Sequence, residues 1–129
     1  MTYDDGKMSA HTALIIDDES DICFLLSNIL RNNKLEVEFV NSISEGKSYL
    51  KNKNPDLLFL DNHLPDGFGI DFISYIKNVN ANTKIVMVTA HDTPEDRKKA
   101  IKEGVDVFIA KPFTASEIKK AIQIAYPDK

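Results

Sequence analysis

The sequence predicts a doubly wound α/β domain, in which helices cover both faces of a central parallel sheet. Three observations support this prediction. Short apolar runs recur at roughly even intervals, helical patterns lie between them, and a hydrophobic content of 43% in 129 residues suits one core of ordinary size. A strand and helix alternation repeated five times implies right-handed crossovers between parallel strands. One domain is therefore expected.

The five apolar runs are the predicted strands. The first, third and fourth are nearly unbroken, which is typical of parallel strands that are covered on both faces. In the second run apolar residues alternate with Glu36 and Glu38, which indicates an edge strand. In chain order the runs comprise residues 13–16, 35–40, 57–60, 85–88 and 105–110.

Capping residues predict where several helices begin, because a side-chain oxygen in the first turn satisfies free backbone N–H groups. At two positions a glutamate three residues later gives the spacing of a capping box, and at a third a proline follows directly. The predicted caps are Ser20, Ser42 (with Glu45), Thr93 (before Pro94) and Thr114 (with Glu117). Apolar stripes predicted to face the core are Ile22, Leu25, Leu26 and Ile29 on the first helix, and Ile118, Ala121, Ile122 and Ala125 on the last.

The predicted domain comprises residues 12–126. Residues 1–11 are polar and without periodicity, so they are predicted to be a flexible N-terminal tail, and residues 127–129 a C-terminal tail. A net charge of -4 without a long basic run argues against direct nucleic-acid binding. The apolar runs are far shorter than the roughly 20 residues that a membrane-spanning helix needs, and the N-terminus lacks the features of a signal peptide. A cytoplasmic protein with no membrane contact is expected.

Chemically reactive side chains follow four of the five predicted strands. Ligands of open parallel sheets bind beyond the carboxyl ends of the strands, so these side chains are expected to converge at one edge. Any one of them alone is more simply interpreted as a capping, turn or solvated residue, but four strand ends with compatible chemistry indicate a site. The residues are Asp17, Asp18 and Glu19 after the first strand, Asp61 after the third, Thr89 after the fourth and Lys111 after the fifth.

The acidic part of this set predicts a magnesium site. Carboxylates at close quarters repel one another and stay ionised only when a cation neutralises them. Mg²⁺ prefers oxygen ligands and is usually held by one or two carboxylates together with phosphate oxygens. Asp61 is then the predicted nucleophile towards a phosphoryl group, while the metal and Lys111 offset charge on the transferring oxygens.

These motifs resemble the receiver domains of bacterial two-component response regulators. The resemblance is carried by IDDE at residues 16–19, LDNHLPDG at 60–67, VTA at 88–90 and KPF at 111–113, in the order and approximate spacing of the family. It covers about residues 12–126. It implies a flavodoxin-like (βα)5 fold with strand order 2-1-3-4-5. It also implies a signalling switch within a phosphorelay rather than a conventional turnover enzyme.

The resemblance assigns the phosphoacceptor and the metal ligands. Asp61 would receive the phosphoryl group from the phosphohistidine of a sensor histidine kinase or of a phosphotransfer protein. Asp18 and Asp61 would bind Mg²⁺ through their carboxylates, and Asp17 would bind it through water. The backbone carbonyl of His63 would complete the protein ligands.

The resemblance also assigns the residues of the switch. Thr89 would hydrogen-bond the phosphoryl group, Lys111 would pair with it, and Phe108 would be the aromatic residue that turns inward as Thr89 moves. His63 and His91 occupy positions that in the family govern access of the hydrolytic water, which suggests that they tune the lifetime of the acyl phosphate; the alternative is two exposed loop histidines. Dimerisation through the fourth helix, fifth strand and fifth helix is implied in the same way.

Two other functions fit parts of the pattern. A phosphohydrolase of the haloacid-dehalogenase type also combines a nucleophilic aspartate, a hydroxyl residue, a lysine and magnesium. Such enzymes carry a second aspartate two residues after the nucleophile, where this sequence has His63, and their nucleophile follows the first strand. A phosphorylation-independent interaction module is the other alternative, and the intact set of reactive residues argues against it. The sequence does not identify the partner kinase or any output domain.

Overall fold

Strands and helices alternate through residues 11–127, the part of the chain that the structure, a computed structural model, describes. The strands of this part are β1 (Thr12–Ile16), β2 (Glu36–Val40), β3 (Leu57–Leu60), β4 (His63–Leu64), β5 (Gly67–Phe68), β6 (Lys84–Thr89) and β7 (Val107–Ala110). The helices are α1 (Ser20–Asn32), α2 (Ile43–Leu50), α3 (Gly69–Val79), α4 (Pro94–Glu103) and α5 (Ala115–Ala125). Residues 1–10 of the predicted N-terminal tail, and residues 128–129, lie outside this range.

Five of the strands form one parallel sheet of order β2-β1-β3-β6-β7. This arrangement confirms the predicted order 2-1-3-4-5, because β6 and β7 are the fourth and fifth strands of this sheet. The alternating strand β2 lies at an edge as predicted, with Glu36 and Glu38 exposed. The last strand begins at Val107, two residues after the start of its apolar run.

Two apolar layers lie on opposite faces of the sheet, as the doubly wound prediction requires. One layer joins residues of β1, β3 and β6 to α1 and α5, for example Leu26 and Ile118. The other joins alternate residues of the same strands to α2, α3 and α4, for example Leu50, Ile73 and Ala100. Within residues 11–127, no helix has both the length and the apolar character needed to cross a membrane.

A short antiparallel hairpin of β4 and β5 follows the third strand of the sheet, and the sequence did not predict it. His63 is opposite Phe68 and Leu64 is opposite Gly67, so Pro65 and Asp66 form the turn between the two strands. The Asp66 carboxylate accepts hydrogen bonds of 2.9 Å from the backbone N–H groups of Ile43 and Ser44. These bonds lower the pKa of Asp66 and attach the hairpin to the start of α2.

Three of the four predicted helix caps are confirmed. The side chains of Ser42, Thr93 and Thr114 accept hydrogen bonds at the starts of α2, α4 and α5. Ser20 is instead the first residue of α1, and the cap Glu19 makes no side-chain capping bond. The backbone N–H of Glu19 donates a hydrogen bond to Asp17 Oδ1 at 2.9 Å. The cap at Ser20 was therefore predicted wrongly.

The core face of α1 is narrower than its apolar stripe suggested. Cys23, Leu26 and Leu30 are buried, whereas Leu25 is 49% exposed. Each residue of an α-helix is rotated by about 100° from the one before it, so Leu25 lies well to the side of the line through Leu26 and Leu30. The prediction that Leu25 faces the core was wrong.

The two ends of the described chain meet at Asp56. Tyr126 donates a hydrogen bond from its hydroxyl to the Asp56 carbonyl oxygen at 3.0 Å. The His11 ring stacks on the Tyr126 ring with centroids 4.3 Å apart, and His11 Nδ1 lies 3.5 Å from Asp56 Oδ2. His11, which the sequence interpretation assigned to the tail, thus packs against the domain.

Candidate functional site

Asp17 and Asp61 lie side by side because they follow neighbouring strands in register. β1 and β3 pair so that Ile16 is opposite Leu60, and the next residue of each strand is the aspartate. Lys111, which follows β7, reaches both: its Nζ is 2.9 Å from Asp17 Oδ2 and 3.5 Å from Asp61 Oδ2. Both aspartates are buried. The structure therefore brings together three of the residues that the sequence singled out.

Glu19 joins this group, although the sequence analysis gave it no role. Glu19 Oε1 lies 2.8 Å from Lys111 Nζ, and one carboxylate oxygen each from Asp17, Glu19 and Asp61 lies within 4.8 Å of the others. Asp18 is exposed and does not belong to this group of three. Asp18, the second residue after β1, lines the open side of the same site together with Asp61.

Burial and charge act in opposite directions on the site's pKa values. Burial raises the pKa of Asp61 and of Asp17, because a low-dielectric environment disfavours the carboxylate, and the nearby Lys111 opposes this effect. For Lys111 itself, burial alone would lower the pKa. Hydrogen bonds to Glu19 and Asp17, and the charge of Asp61, outweigh burial and hold the pKa of Lys111 above its usual value. The ammonium is therefore a fixed positive charge among the acids.

The backbone after β3 fixes the orientation of the Asp61 carboxylate. The Asn62 N–H donates to Asp61 Oδ1 at 2.8 Å. Asn62 is held in turn, because its carbonyl accepts from the Gly69 N–H at 2.7 Å and its Oδ1 accepts from the Ile70 N–H at 2.9 Å. A Cβ at position 69 would collide with the Asp61 carbonyl oxygen and lie 3.0 Å from the Leu60 side chain. Only glycine permits this close approach.

The open side of the site is a shallow depression of about 230 Å³. Two histidines line it, and their rings are in contact: the centroids of His63 and His91 are 3.9 Å apart. Thr89 is buried behind the rim, where its Oγ1 accepts a hydrogen bond of 3.2 Å from the His91 N–H. The residues lining the depression are Asp18, Glu19, Asp61, His63, Ala90, His91 and Lys111.

Phe108 lies on β7 and is half-buried. It packs against the apolar layer that includes α3 and α4. The guanidinium of Arg97, on α4, covers its ring with Cζ 4.5 Å from the centroid. No sequence pattern singled out Arg97, because contact between these residues depends on how α4 sits against the sheet.

Residues 13–123 match the family model described as the response regulator receiver domain. The chain belongs to this family. Response regulator protein PilR of Pseudomonas aeruginosa is 33% identical over 118 residues, which are 92% of this chain and 26% of PilR. Chemotaxis protein CheY of Bacillus subtilis is 34% identical over 115 residues, 88% of this chain and 95% of CheY. The phosphate regulon transcriptional regulatory protein PhoB of Escherichia coli is 31% identical, with 88% of this chain and 51% of PhoB covered.

Solved receiver structures share the fold of this receiver domain. A CheY-like receiver domain protein from Methanospirillum hungatei superposes with a TM-score of 0.84 at 27% identity, covering 89% of this chain and 92% of its own. The beryllofluoride-activated receiver domain dimer of NtrC4 gives 0.86 at 29% identity, covering 91% and 97%. The receiver domain spans about a quarter of PilR and about half of PhoB.

Membership of the family favours a signalling function among those that the sequence left open. Receiver domains are signalling domains of two-component systems that interact with histidine kinases or phosphotransfer proteins. The haloacid-dehalogenase interpretation is not supported, because the match covers nearly all of the described chain.

The residues of the acidic group suit the Mg²⁺ that receiver domains bind at an acidic cluster. Asp17, Glu19 and Asp61 offer only carboxylate oxygens, the hard ligands that Mg²⁺ prefers, and no softer sulfur or nitrogen donor belongs to this group within residues 11–127. Two of the three acids are buried, so their negative charges are poorly solvated and a divalent cation would stabilise both. The donor set therefore fits the ion.

Proposed function

We propose that this receiver domain is a phosphorylation-activated switch that accepts a phosphoryl group on Asp61, with Mg²⁺, from a histidine kinase or a phosphotransfer protein. The observation that carries the proposal is the buried Asp61 carboxylate, oriented by the Asn62 N–H at 2.8 Å and flanked by Lys111 Nζ at 3.5 Å. It lies at the depression through which a donor would approach. A nucleophile held in one orientation beside a fixed positive charge is what phosphoryl transfer requires of a protein.

In the transfer step, an oxygen of Asp61 forms a bond to phosphorus while the phosphorus–nitrogen bond of the donor phosphohistidine breaks. The donor imidazole leaves with that electron pair, and Asp61 becomes an acyl phosphate. Lys111 offsets charge on the phosphoryl oxygens. Asp61, and Asp18 from the rim of the same depression, would hold Mg²⁺ through their carboxylates, with Asp17 of the acidic group acting through water and the His63 backbone carbonyl completing the protein ligands. The ion would neutralise further charge on the transferring group.

The acyl phosphate would then redirect Thr89 and Phe108. The Thr89 hydroxyl donates to a phosphoryl oxygen, its present bond from the His91 N–H is lost, and Phe108 turns inward behind it. Hydrogen bonds to a charged group contribute about 1.5–3 kcal/mol each, so Thr89 and Lys111 together supply roughly 3–6 kcal/mol. Inverting a two-state equilibrium from 1:99 to 99:1 needs about 5.5 kcal/mol. Only the upper end of the first range reaches this value, so a nearly balanced switch is expected, with partial activation before phosphorylation.

The switch resets when water attacks phosphorus, breaks its bond to Asp61 and releases inorganic phosphate. We assign His63 and His91 to control of this step, because their contacting rings form part of the rim that the water must pass. Replacing either with Ala is expected to change the dephosphorylation rate, followed as loss of the acyl phosphate over time. His11→Ala, at the opposite end of the strands, is the matched control. Unchanged rates in both rim variants would remove this role.

Phosphorylation would control an output domain or a partner protein in the cytoplasm. A homodimer is one such output, formed through α4, β7 and α5. Ile101 on α4 and Ile124 on α5 are 60% and 59% exposed, which supports an apolar contact there. Sedimentation with and without phosphodonor tests the dimer, and Ile124→Glu should abolish any association. The proposed dimer is wrong if the phosphorylated chain stays monomeric at high concentration.

Covalent phosphorylation is tested by intact-mass spectrometry after incubation with acetyl phosphate and Mg²⁺. One added phosphate is expected for the wild type and none for Asp61→Asn. Asp71→Asn, an exposed aspartate on α3, is the matched control and should be phosphorylated normally. If the wild type takes no phosphate, the chain is an interaction module. Sustained hydrolysis of phosphomonoesters would instead identify a phosphohydrolase.

A further inference from the structure

One side chain, Arg97 on α4, contacts both moving parts of the proposed switch. Its guanidinium forms two parallel hydrogen bonds with Asp92 of the β6–α4 loop, Nε to Oδ1 at 3.1 Å and Nη2 to Oδ2 at 2.9 Å. The same group lies over the ring of Phe108, 4.5 Å from its centroid. A planar guanidinium can pair with a carboxylate at its edge and stack on an aromatic ring with its face, which an ammonium cannot do.

The loop that Arg97 contacts through Asp92 leads directly to Thr89. Thr89 ends β6, the next residues form the loop, and the His91 N–H donates to Thr89 Oγ1 at 3.2 Å. When Thr89 moves towards a phosphoryl group, this loop has to rearrange and carry Asp92 with it. When Phe108 turns inward, its ring leaves the guanidinium. Both contacts of Arg97 therefore belong to the resting arrangement and are lost on activation.

We propose that Arg97 is a positioning residue that holds both the β6–α4 loop and the Phe108 ring in the resting state. Thr89 and Phe108 would then change position together. This inference rests on the proposed function, since it takes Thr89 and Phe108 as the moving residues. Phe108 has no hydroxyl with which to anchor itself in an outward position. The stacked guanidinium supplies that anchor instead.

The size of the effect follows from the two contacts. An exposed bidentate ion pair and a cation–π contact at a partly exposed site together bias a two-state equilibrium by roughly fivefold to tenfold. Removing Arg97 is expected to raise the resting population of the active state by about that factor, and to raise the initial phosphorylation rate similarly. Arg97→Lys retains the charge but neither the parallel hydrogen bonds nor the planar stack, so most of the effect should remain in that variant.

The experiment compares Arg97→Ala, Arg97→Lys and Asp92→Asn with a matched control, Lys99→Ala. Lys99 is on the same helix, and its ion pair across an exposed surface is with Asp71 of α3, at 3.7 Å, rather than with Asp92. The first measurement is the NMR signal of the Thr89 methyl group without phosphodonor, which reports the buried side of the switch at a distance from position 97. The second is the initial rate of phosphorylation by acetyl phosphate with Mg²⁺.

The proposal expects the Thr89 signal to move in all three test variants and to stay unchanged in Lys99→Ala. In a fourth variant that combines Arg97→Ala with Asp92→Asn, the second substitution is expected to have no further effect. An unmoved Thr89 signal in Arg97→Ala overturns it, as does a phosphorylation rate equal to that of Lys99→Ala. If the wild type takes no phosphate at all, the proposed function fails. The Thr89 measurement still decides whether Arg97 is coupled through the loop to the buried Thr89 side chain.

Discussion

Helices α3 and α4 pack on the same face of the sheet, but they are attached to it in different ways. α3 follows the loop after Asp61, the proposed phosphoacceptor, and buries five residues, among them Ile70, Phe72 and Ile73. α4 follows the loop after Thr89 and buries only Ala100. The proposed nucleophile is therefore carried by a well-packed region, whereas the region that would respond to phosphorylation is held by few apolar contacts. A segment with little buried apolar surface opens at low free-energy cost, which suits a moving element.

Polar contacts take the place of packing at α4. Its ion pairs with Asp92 and Asp71 join exposed or partly exposed side chains, and its stack on Phe108 involves a half-buried ring. Contacts of this kind each contribute about 1 kcal/mol or less. They can be exchanged for other contacts without unfolding the domain, whereas the packing of α3 cannot.

The largest expected difference between the two helices is in their tolerance of truncation. Ile73→Ala on α3 removes a fully buried side chain and is expected to lower the free energy of unfolding by about 2–5 kcal/mol. Ile101→Ala on α4 removes a side chain that is 60% exposed, so its effect should stay within about 0.5 kcal/mol. Urea unfolding of both variants measures this. Equal losses would mean that α4 is anchored as firmly as α3.

A glycine at each helix provides the next comparison. Gly69→Ala places a Cβ against the Asp61 carbonyl oxygen, and such overpacking is expected to cost about 1–3 kcal/mol and to slow phosphorylation. Gly104→Ala, at the end of α4 with φ of +115°, should cost about 1 kcal/mol through backbone strain alone. Urea unfolding and phosphorylation rates separate the two effects. A normal rate in Gly69→Ala would show that the phosphoacceptor loop tolerates displacement.

Removal of a helix cap should reveal the weak attachment of α4 directly. Thr93→Ala loses the hydrogen bond from the Asp96 N–H, at a cost of about 1 kcal/mol. Because α4 is lightly packed, this loss is expected to appear as faster hydrogen exchange confined to α4. Ser42→Ala removes the equivalent bond in α2 and is the control. The interpretation fails if exchange accelerates equally throughout the sheet in Thr93→Ala.

The smallest expected effect concerns the negative charge of the buried Asp61 carboxylate. Burial raises the pKa of Asp61, so its ionised form costs stability at neutral pH. Without divalent cations, Asp61→Asn should therefore raise the melting temperature at neutral pH. Loss of the attraction between Asp61 and Lys111 in this variant makes the increase smaller. The advantage should disappear as pH falls through the raised pKa of Asp61, because the wild-type carboxyl is then neutral too. Thermal unfolding across this pH range measures the difference in melting temperature, with Asp71→Asn as an exposed control. If the variant remains more stable than the wild type in acid, burial of the Asp61 charge is not the cause.

The positions of the strands and the edge of the sheet that carries the site followed from local pattern. The apolar runs predicted the strands to within two residues, and the capping signals at Ser42, Thr93 and Thr114 were correct. Ser20 was wrong because α1 begins one residue earlier than its capping signal indicated: Ser20 is the first helical residue, and Glu19 occupies the cap position. Helix ends predicted from sequence are uncertain by a residue or two.

The sequence by itself determined the fold class and which strand ends carry reactive groups, because strand periodicity and the shared direction of parallel strands are properties of short segments. Beyond the convergence of Asp17, Asp61 and Lys111, tertiary structure decided which side chains meet. It turned Glu19 and not Asp18 towards Lys111, brought the His63 ring into contact with the His91 ring, and placed Arg97 over Phe108. These contacts depend on side-chain direction and on the distances between separate elements, neither of which is encoded by residue spacing along the chain.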